Sequence, residues 1–413
     1  IWLGFSAGLA TLLVVILLQA TMGGAPAIAS PPAVAKATVL NNSNVITIGV
    51  AAAMSGSLES LGWRQANAVQ LAVSQINAAG GVDIGGTPYS LALVTANSAC
   101  DAAQAVIAAD ALLNAGAVAV VGHTCSSASS AAQSMYNSAG VPMISPSSSG
   151  IGLTQEGYTT TFRVFPRDDA EEILMATHFL QSLEMDKVAL VGWSGLEWST
   201  EAFSSTFVSL GGSITSQQTV GSTDDYTATL TAIQAEDPDA VFYADWDANR
   251  AGFLGSIAHN LGLSIIGWDA NGDEAGLGNY VAVAGGAAEG DYAGLSPRRT
   301  EDMPGYDTLN ADYQAAGFPN YGEQVEMWGA FAYDAVRIIV DAMDRADSAD
   351  PTAIRDEIAA TANYDGVVGT YKSFNALGDV IPQWAWLELY DNGEWVRVYR
   401  YKVLLPLVLN SLQ

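Results

Sequence analysis

The chain has 413 residues, half of them apolar, which is enough for two domains that each bury a core. Its 43 Asp and Glu residues outnumber 15 Lys and Arg residues, for a formal net charge of −28. Such an acidic surface favours solubility and repels nucleic acid and anionic lipid, which excludes both as partners.

The N-terminal segment 1–29 predicts export. It is apolar around an unbroken run from Leu12 to Leu18, and Ala27–Ala29 has the small-x-small form of a signal-peptidase site. A retained membrane anchor is the alternative, since the apolar stretch is nearly long enough to span a bilayer. Either interpretation places the following residues outside the cytoplasm, in the periplasm or extracellular space, and the second tethers them to the membrane. Residues 30–44 are rich in Pro, Ala, Ser and Asn and indicate a linker.

A regular alternation of strands and helices begins at residue 45. Short apolar runs predict four strands, at Val45–Ala51, Tyr89–Thr95, Ala117–Val121 and Val141–Ser145. Helices are predicted between them at Gly62–Ala79, 101–115 and 127–139, and the first of these has a buried stripe at Val69, Ala72, Val73 and Ile76. This order is typical of a parallel sheet with helical crossovers.

The alternation resumes after a polar loop at Ser147–Thr160. Strands are predicted at Val188–Gly192, Ser213–Thr219, Ala240–Tyr243 and Ser264–Gly267, with helices near 168–184, 198–210, 225–236 and 248–262. A second doubly wound α/β domain is therefore predicted. Further helices at 304–316 and 323–346 and a strand at Trp384–Tyr390 follow. The apolar C-terminal tail, 401–413, is about half the length that a bilayer span needs and is predicted to be peripheral.

The sequence lacks the motifs of common catalytic and metal sites. It has no phosphate-binding loop, no GxGxxG after a strand and no GxSxG nucleophile turn, so an enzyme is disfavoured and no cofactor is expected. Its histidines, His123, His178 and His259, are scattered, and no pair of ligands has metal-binding spacing. Cys100 and Cys125 lie in the exported part, where one disulfide is the expectation.

Polar residues follow two predicted strands of the first domain. Ser126 and Ser127 come after Ala117–Val121 and precede a helix, so their hydroxyls and amides can receive a carboxylate. A purely structural role as helix caps is the alternative. A second cluster with Ser147, Ser148 and Ser149 follows the next strand. Two such clusters at adjacent strand ends favour a binding site.

Three residues stand at the equivalent edge of the second domain. Trp198, Trp246 and Asp269 each follow a predicted strand. Aromatic walls with one acid suit a ligand that has an apolar part and an ammonium group.

These segments resemble the type I periplasmic solute-binding proteins of branched-chain amino-acid ABC transporters. The resemblance rests on six motifs in the order typical of that family: Ile48–Gly56, Gln75–Gly81, Ala99–Asp101, Gly122–Ser127, Met143–Pro146 and Ala287–Gly290. It implies two doubly wound, Rossmann-like lobes, the first formed by 45–163 plus 294–372 and the second by 164–293 plus 373–400. It also implies three hinge crossings, near Arg163–Phe165, Gly294 and Tyr371–Asn375, and a Cys100–Cys125 disulfide in the first lobe.

The resemblance also implies roles for the candidate site residues. Ser126, Ser147 and Ser149 correspond to first-lobe residues that hold the ligand's carboxylate and ammonium. Trp198 and Trp246 stand where the family has tyrosines, and Asp269 stands where it has a Glu that receives the ammonium. Leu61 or a neighbour replaces an aromatic residue of the branched-chain binders, so the side-chain pocket is expected to have a different shape.

The predicted function is capture of an amino acid or similar small molecule by the binding component of an ABC importer, which delivers it to a membrane permease. A ligand sensor with the same fold, not coupled to transport, is the alternative. An extracellular hydrolase would need a nucleophile with an adjacent base, and the sequence offers no such pair.

Overall fold

The computed structural model describes residues 44–222, 224–263, 266–269, 274–297, 299–399 and 402–403. The predicted signal peptide or anchor, the linker up to residue 43 and most of the C-terminal tail lie outside these residues. Two α/β lobes are present, each built on its own sheet.

The first lobe contains a six-stranded sheet. Its strands are β1 (Val45–Ala52), β2 (Val82–Ile84), β3 (Thr87–Asn97), β4 (Ala119–Gly122), β5 (Met143–Ser145) and β6 (Thr161–Arg163). The order in space is β2-β3-β1-β4-β5-β6, and all neighbours run parallel except the β2–β3 hairpin. The central strand β1 is almost wholly buried, as its apolar sequence predicts.

Helices cover both faces of the first sheet. They are α1 (Glu59–Ala78), α2 (Ala102–Asn114) and α3 (Ser126–Ala139). The predicted stripe of α1 is confirmed, since Val69, Ala72, Val73 and Ile76 are all buried. Two apolar clusters, one on each face, hold the layers together.

The second lobe contains a seven-stranded sheet. After helix α4 (Ala170–Gln181) come β7 (Lys187–Trp193), α5 (Glu197–Ser209), β8 (Ser213–Val220), α6 (Tyr226–Gln234), β9 (Ala240–Ala244), α7 (Ala248–Asn260), β10 (Ile266–Asp269), α8 (Glu274–Ala284) and β11 (Tyr292–Leu295). Short 3₁₀ segments lie at Ile151–Thr154, Gly285–Ala288 and Thr300–Asp302.

The C-terminal quarter contributes to both lobes. Its elements are α9 (Tyr306–Ala316), α10 (Glu326–Ala346), α11 (Pro351–Ala359), β12 (Tyr364–Asp365), β13 (Thr370–Tyr371), β14 (Ser373–Phe374), β15 (Val380–Ile381), β16 (Gln383–Trp384), β17 (Trp386–Asp391), β18 (Glu394–Tyr399) and β19 (Lys402–Val403). Helix α10 packs on α1 in the first lobe. The second sheet has the order β18-β17-β11-β10-β9-β7-β8, with β17 antiparallel to β11, and β19 pairs with β16.

The chain crosses between the lobes three times. The first crossing follows Arg163, as predicted. The second follows Leu295, because Gly294 lies inside β11 of the second sheet. The third differs more from the expected Tyr371–Asn375, since the β14–β15 hairpin remains beside the first sheet, where Arg163 bridges Asp379. The chain therefore enters the second lobe only after β15.

None of the helices in the described part of the chain combines the length and the apolar character needed to cross a membrane.

Candidate ligand-binding site

The two polar clusters of the first lobe meet at the carboxyl ends of β4 and β5. Ser126 occupies the first turn of α3, and its hydroxyl accepts a hydrogen bond from the Gly150 amide at 3.0 Å. Ser127 beside it is exposed. No side chain caps α3, so its first amides are positioned to bind an anion such as a carboxylate. A disulfide between Cys100 and Cys125 anchors the residue that precedes this helix.

Ser147 is held in a closed hydrogen-bond circuit. Its hydroxyl donates to the Thr124 carbonyl at 2.6 Å and accepts from the Gln65 amide at 2.7 Å. The Thr124 hydroxyl in turn donates to the Gln65 carbonyl oxygen at 2.7 Å and accepts from the Ala53 amide at 3.0 Å. Ser147 has used its one proton, so it can accept a further bond from an ammonium group but cannot donate to a carboxylate.

The structure does not support Ser148 as a ligand contact. Its side chain is fully buried, and its hydroxyl lies 2.8 Å from the Ser129 hydroxyl and 3.2 Å from the His123 carbonyl. Ser145 completes this interior cluster by donating to the same carbonyl at 3.1 Å.

His123 lies beneath this edge and is uncharged at neutral pH. Its imidazole is fully buried and its Nε2 lies 3.0 Å from the Tyr136 hydroxyl. Burial lowers the pKa of His123 to about 3, because the charged imidazolium would lose its hydration.

Ser149 faces the first crossing. Its carbonyl accepts from the Asp168 amide at 3.0 Å, and its side chain forms a hydrogen bond with the Asp168 carboxylate. Burial raises the pKa of Asp168 above its ordinary value. This acid was not among the predicted site residues, since nothing in the sequence relates position 168 to the loop that precedes it.

The second lobe brings its two predicted tryptophans together. Trp198 lies in the first turn of α5 and Trp246 follows β9, and their ring centroids are 6.2 Å apart at an interplanar angle of 53°. Trp246 is 43% exposed and Trp198 is half-buried. The pair therefore offers an apolar surface at the carboxyl edge of the sheet.

A charged cluster that the sequence analysis missed supports the segment carrying Trp246. Asp245 is buried and receives two hydrogen bonds from the Arg250 guanidinium at 2.6 and 2.7 Å, and one from the Tyr243 hydroxyl at 2.7 Å. Arg250 also lies 4.0 Å above the Trp193 ring. The Asp-Trp-Asp sequence before α7 was the available signal, because Asp247 caps that helix.

The remaining predicted residues lie close to the same edges. Asp269 ends β10, where its backbone is in register with Gly294 of β11, while its side chain lies outside what the structure describes. Leu61 is half-buried in the first turn of α1, just after the Met-Ser-Gly turn. Among the described residues, no group of three His, Cys, Asp or Glu side chains could hold a metal ion.

Two lobes with opposed surface chemistry at their strand ends define a two-lobed solute-binding protein. The family model of periplasmic binding proteins matches residues 45–394, and the chain belongs to that family.

Individual relatives agree with this assignment. A leucine-specific-binding protein of Salmonella typhimurium is 28% identical over 340 residues, which cover 79% of this chain and 86% of that protein. The branched-chain amino acid transporter substrate binding protein LivJ of Streptococcus pneumoniae, solved in complex with isoleucine, is 27% identical, with a TM-score of 0.56 and coverage of 86% of this chain and 100% of that one. A putative branched-chain amino acid ABC transporter from Rhodospirillum rubrum shares the fold, with a TM-score of 0.70 at 23% identity over 86% of this chain and 100% of that one.

Proposed function

We propose that this protein is the exported solute-binding component of an ABC importer and captures an amino acid between its lobes by hinge closure. The observation that carries the proposal is the pairing of a polar edge built on α3 in the first lobe with the Trp198–Trp246 edge in the second. A ligand with a charged end and an apolar end matches both. The leucine-specific relative and the isoleucine complex support the same ligand class.

The orientation of the ligand follows from the donors and acceptors present. The carboxylate lies at the N-terminus of α3, against the amides of its first turn and the exposed Ser127. The ammonium donates to two oxygen acceptors. One is the neutral hydroxyl of Ser147, and the other is the charged carboxylate of Asp269. The side chain of the amino acid rests on Trp198 and Trp246.

A non-enzymatic, extracytoplasmic role fits the remaining observations. The matching family is one of periplasmic binding proteins, and the apolar N-terminal segment and the disulfide are both typical of an exported protein. Delivery of the ligand to a membrane permease completes the proposed role.

A thermal-shift screen tests the proposal. L-leucine, L-isoleucine, L-valine and L-phenylalanine are compared with their N-acetyl and amide derivatives, because a ligand that binds only the folded state raises the melting temperature. We expect one or more free amino acids to stabilise the protein and small-angle scattering to show a smaller radius of gyration with that ligand. If no free amino acid shifts the melting temperature, or if N-acetyl derivatives bind equally well, the proposed ligand class is wrong.

Asp269→Asn tests the ammonium contact. Removing one partner of a buried charge pair costs about 2–5 kcal/mol, so affinity for the best amino acid should fall roughly 30-fold or more. Titration calorimetry measures the change. Equal affinities of wild type and variant would remove Asp269 from the site.

A further inference from the structure

One buried cation reaches both the polar loop of the first lobe and the hinge. Arg163 ends β6, and its side chain is fully buried. One guanidinium nitrogen donates to three consecutive carbonyls, those of Ser148, Ser149 and Gly150, at 3.1, 3.0 and 2.9 Å. The other two nitrogens donate to Asp379 at 2.6 Å and to the Thr154 hydroxyl at 2.7 Å.

Asp379 lies in the hairpin that leads into the third crossing. It is fully buried and accepts from Arg163 and from the Thr154 hydroxyl, both through the same carboxylate oxygen. Its second oxygen is 3.5 Å from Arg167 and 3.2 Å from the Asn375 amide. Burial alone would raise the pKa of Asp379, but the two arginines hold it below its ordinary value, so the pair is ionised at neutral pH.

The first and third crossings are also bonded directly to each other. The Arg167 amide donates to the Gln383 side-chain carbonyl at 2.6 Å, and the Gln383 amide donates to the Val380 carbonyl at 2.6 Å. The Arg167 guanidinium forms a two-pronged ion pair with Asp169 at 2.6 and 2.8 Å. The loop and two of the three crossings therefore form one continuous hydrogen-bonded unit.

The loop held by Arg163 is the one that carries the candidate site residues Ser147 and Ser149. Its Gly150 amide donates to the Ser126 hydroxyl, and the Ser149 carbonyl accepts from Asp168 of the first crossing. Arg163 and Asp379 both belong to the first lobe, where they lie shortly before the first and third crossings. Two residues of the first crossing bond this unit, since Arg167 contacts Asp379 and the Asp168 amide donates to the Ser149 carbonyl of the loop. A change of crossing geometry must therefore alter the loop.

We propose that Arg163 and Asp379 are a positioning pair that couples the hinge to the ligand-binding loop, so that lobe closure and loop geometry change together. This proposal rests on the proposed function for its ligand-dependent part. Both side chains are fully buried, so the proposed role is to position the loop and not to touch the ligand. Coupling of this kind is reciprocal. If the closed arrangement of the crossings raises the affinity for ligand by some factor, bound ligand favours that arrangement by the same factor. The coupling raises affinity because the loop amides already have their binding geometry in the free protein, so less conformational entropy is lost when the ligand binds.

The test compares Asp379→Asn with Asp334→Asn. Asp334 is equally buried in the same lobe, but it accepts from the Val367 and Val368 amides and the Tyr371 hydroxyl and has no contact with the loop at 147–151. Affinity is measured by calorimetry for the tightest binder among the four amino acids of the screen. We expect Asp379→Asn to weaken binding tenfold or more and Asp334→Asn to change it less than twofold.

Amide hydrogen exchange in the absence of ligand separates positioning from a general loss of stability. In Asp379→Asn the Gly150 and Asp168 amides should exchange at least tenfold faster than in wild type. In Asp334→Asn those two should be unchanged while the Val367 and Val368 amides exchange faster. In wild type with ligand, exchange should slow at 375–383 as well as at 147–151.

A milder variant covers the case in which Asp379→Asn does not fold. Thr154→Val removes one donor to Asp379 and one acceptor from Arg163 while conserving shape, and it should speed exchange at Gly150 by a smaller factor. Unchanged exchange at Gly150 and Asp168 in the folded variants, or equal losses of affinity in Asp379→Asn and Asp334→Asn, would overturn the coupling. If wild type binds none of the four amino acids, the proposed function fails, and the ligand-free exchange still decides whether the pair positions the loop.

Discussion

The ligand edges of the two lobes are built in opposite ways. In the first lobe, Gln65, Thr124 and Ser147 close a circuit of hydrogen bonds in which each group is almost wholly buried. In the second lobe, the rings of Trp198 and Trp246 are tilted at 53° to each other, and Trp246 is 43% exposed. A circuit of directional bonds has one geometry, whereas two rings in contact can slide and tilt at little cost.

This difference matches the two parts of an amino acid. The ammonium and carboxylate are the same in every amino acid and call for fixed donors and acceptors. The side chain varies and is better served by an apolar surface that adapts. The comparison therefore predicts that substitutions in the first edge damage stability and that substitutions in the second edge change ligand preference.

The largest effect is expected at Gly122, and Gly195 of the second lobe is the matched position. Gly122 is the last residue of β4 and has φ +141°, and an added Cβ would lie 2.3 Å from the Ala51 carbonyl oxygen. Gly195 after β7 has φ +97° but open space around it. Gly122→Ala should cost about 4 kcal/mol or more, because strain and a backbone clash add. Gly195→Ala should cost roughly 1–2 kcal/mol from the positive φ alone.

Urea unfolding of both variants measures the difference. Equal losses of unfolding free energy in Gly122→Ala and Gly195→Ala would show that the first-lobe edge is not packed more closely than the second-lobe edge.

The second effect is a pH dependence from His123. Its pKa is about 3 in the folded protein against an ordinary 6.5, so the unfolded chain binds the proton first and stability falls as pH drops from 6.5 towards 3. The slope from this group is about 1.4 kcal/mol per pH unit. Asp334, whose pKa burial raises to about 6, acts in the opposite direction between its ordinary 3.8 and 6.

The unfolding free energies of wild type and His123→Gln, compared between pH 7 and 4.5, isolate the histidine. We expect their difference to shrink by about 2–3 kcal/mol as the pH falls. Amide exchange should also show α3 opening at a higher pH than α5. A constant difference across this range would mean that His123 is not buried in its neutral form.

A third effect follows from breaking the circuit. Gln65→Leu leaves the Thr124 hydroxyl without its acceptor and the Ser147 hydroxyl without its donor, which should cost about 1–3 kcal/mol. Gln75→Leu in the same helix is the matched control, because Gln75 is partly exposed and bonds Asp312 and Tyr333 away from the ligand edge. Chemical unfolding measures the loss of stability of both variants, and calorimetry measures their affinity for the amino acid. If Gln75→Leu loses as much affinity as Gln65→Leu, the comparison is contradicted.

The smallest effect on stability is expected at Trp246. Trp246→Ala removes one aromatic pair, worth about 0.5–1.5 kcal/mol. Its affinity for the most apolar amino acids should nevertheless fall about tenfold, which corresponds to about 1.4 kcal/mol. Calorimetry over the amino-acid panel tests this. A uniform loss for all amino acids would indicate that Trp246 contributes to the fold of the edge and not to side-chain preference.

Local patterns predicted most of the fold. Most of the parallel strands of both sheets were located, and the predicted Ser213–Thr219 strand, for example, is β8 (Ser213–Val220). The parallel strands β6 and β11 were not predicted. Strand β6 was missed because its three residues, Thr-Phe-Arg, form neither an apolar run nor an alternating pattern, whereas the equally short β5 lies in the apolar run Val141–Ile144. Helix α11 was also missed, although Asp350 before Pro351 is a clear start signal.

The candidate site residues were chosen because they follow predicted strand ends. The rule that ligands bind at the carboxyl ends of parallel strands placed Trp198 near Trp246, although α5 and β9 are far apart in sequence. Composition could not distinguish Ser147 from the inward-facing Ser148. Arg163 pairs with Asp379, 216 positions away, and this contact depends on the path of the third crossing, which the family resemblance implied at an earlier position in the chain.

If Trp246 contacts the ligand as proposed, the protein's own fluorescence reports its occupancy. Of the tryptophans whose side chains the structure describes, Trp246 alone is exposed, while Trp268 and Trp386 are buried. Indole emission shifts to shorter wavelength when its surroundings lose water. A ligand seated on Trp198 and Trp246 would therefore change the colour of the protein's own fluorescence, and an optical titration would follow binding without any attached dye.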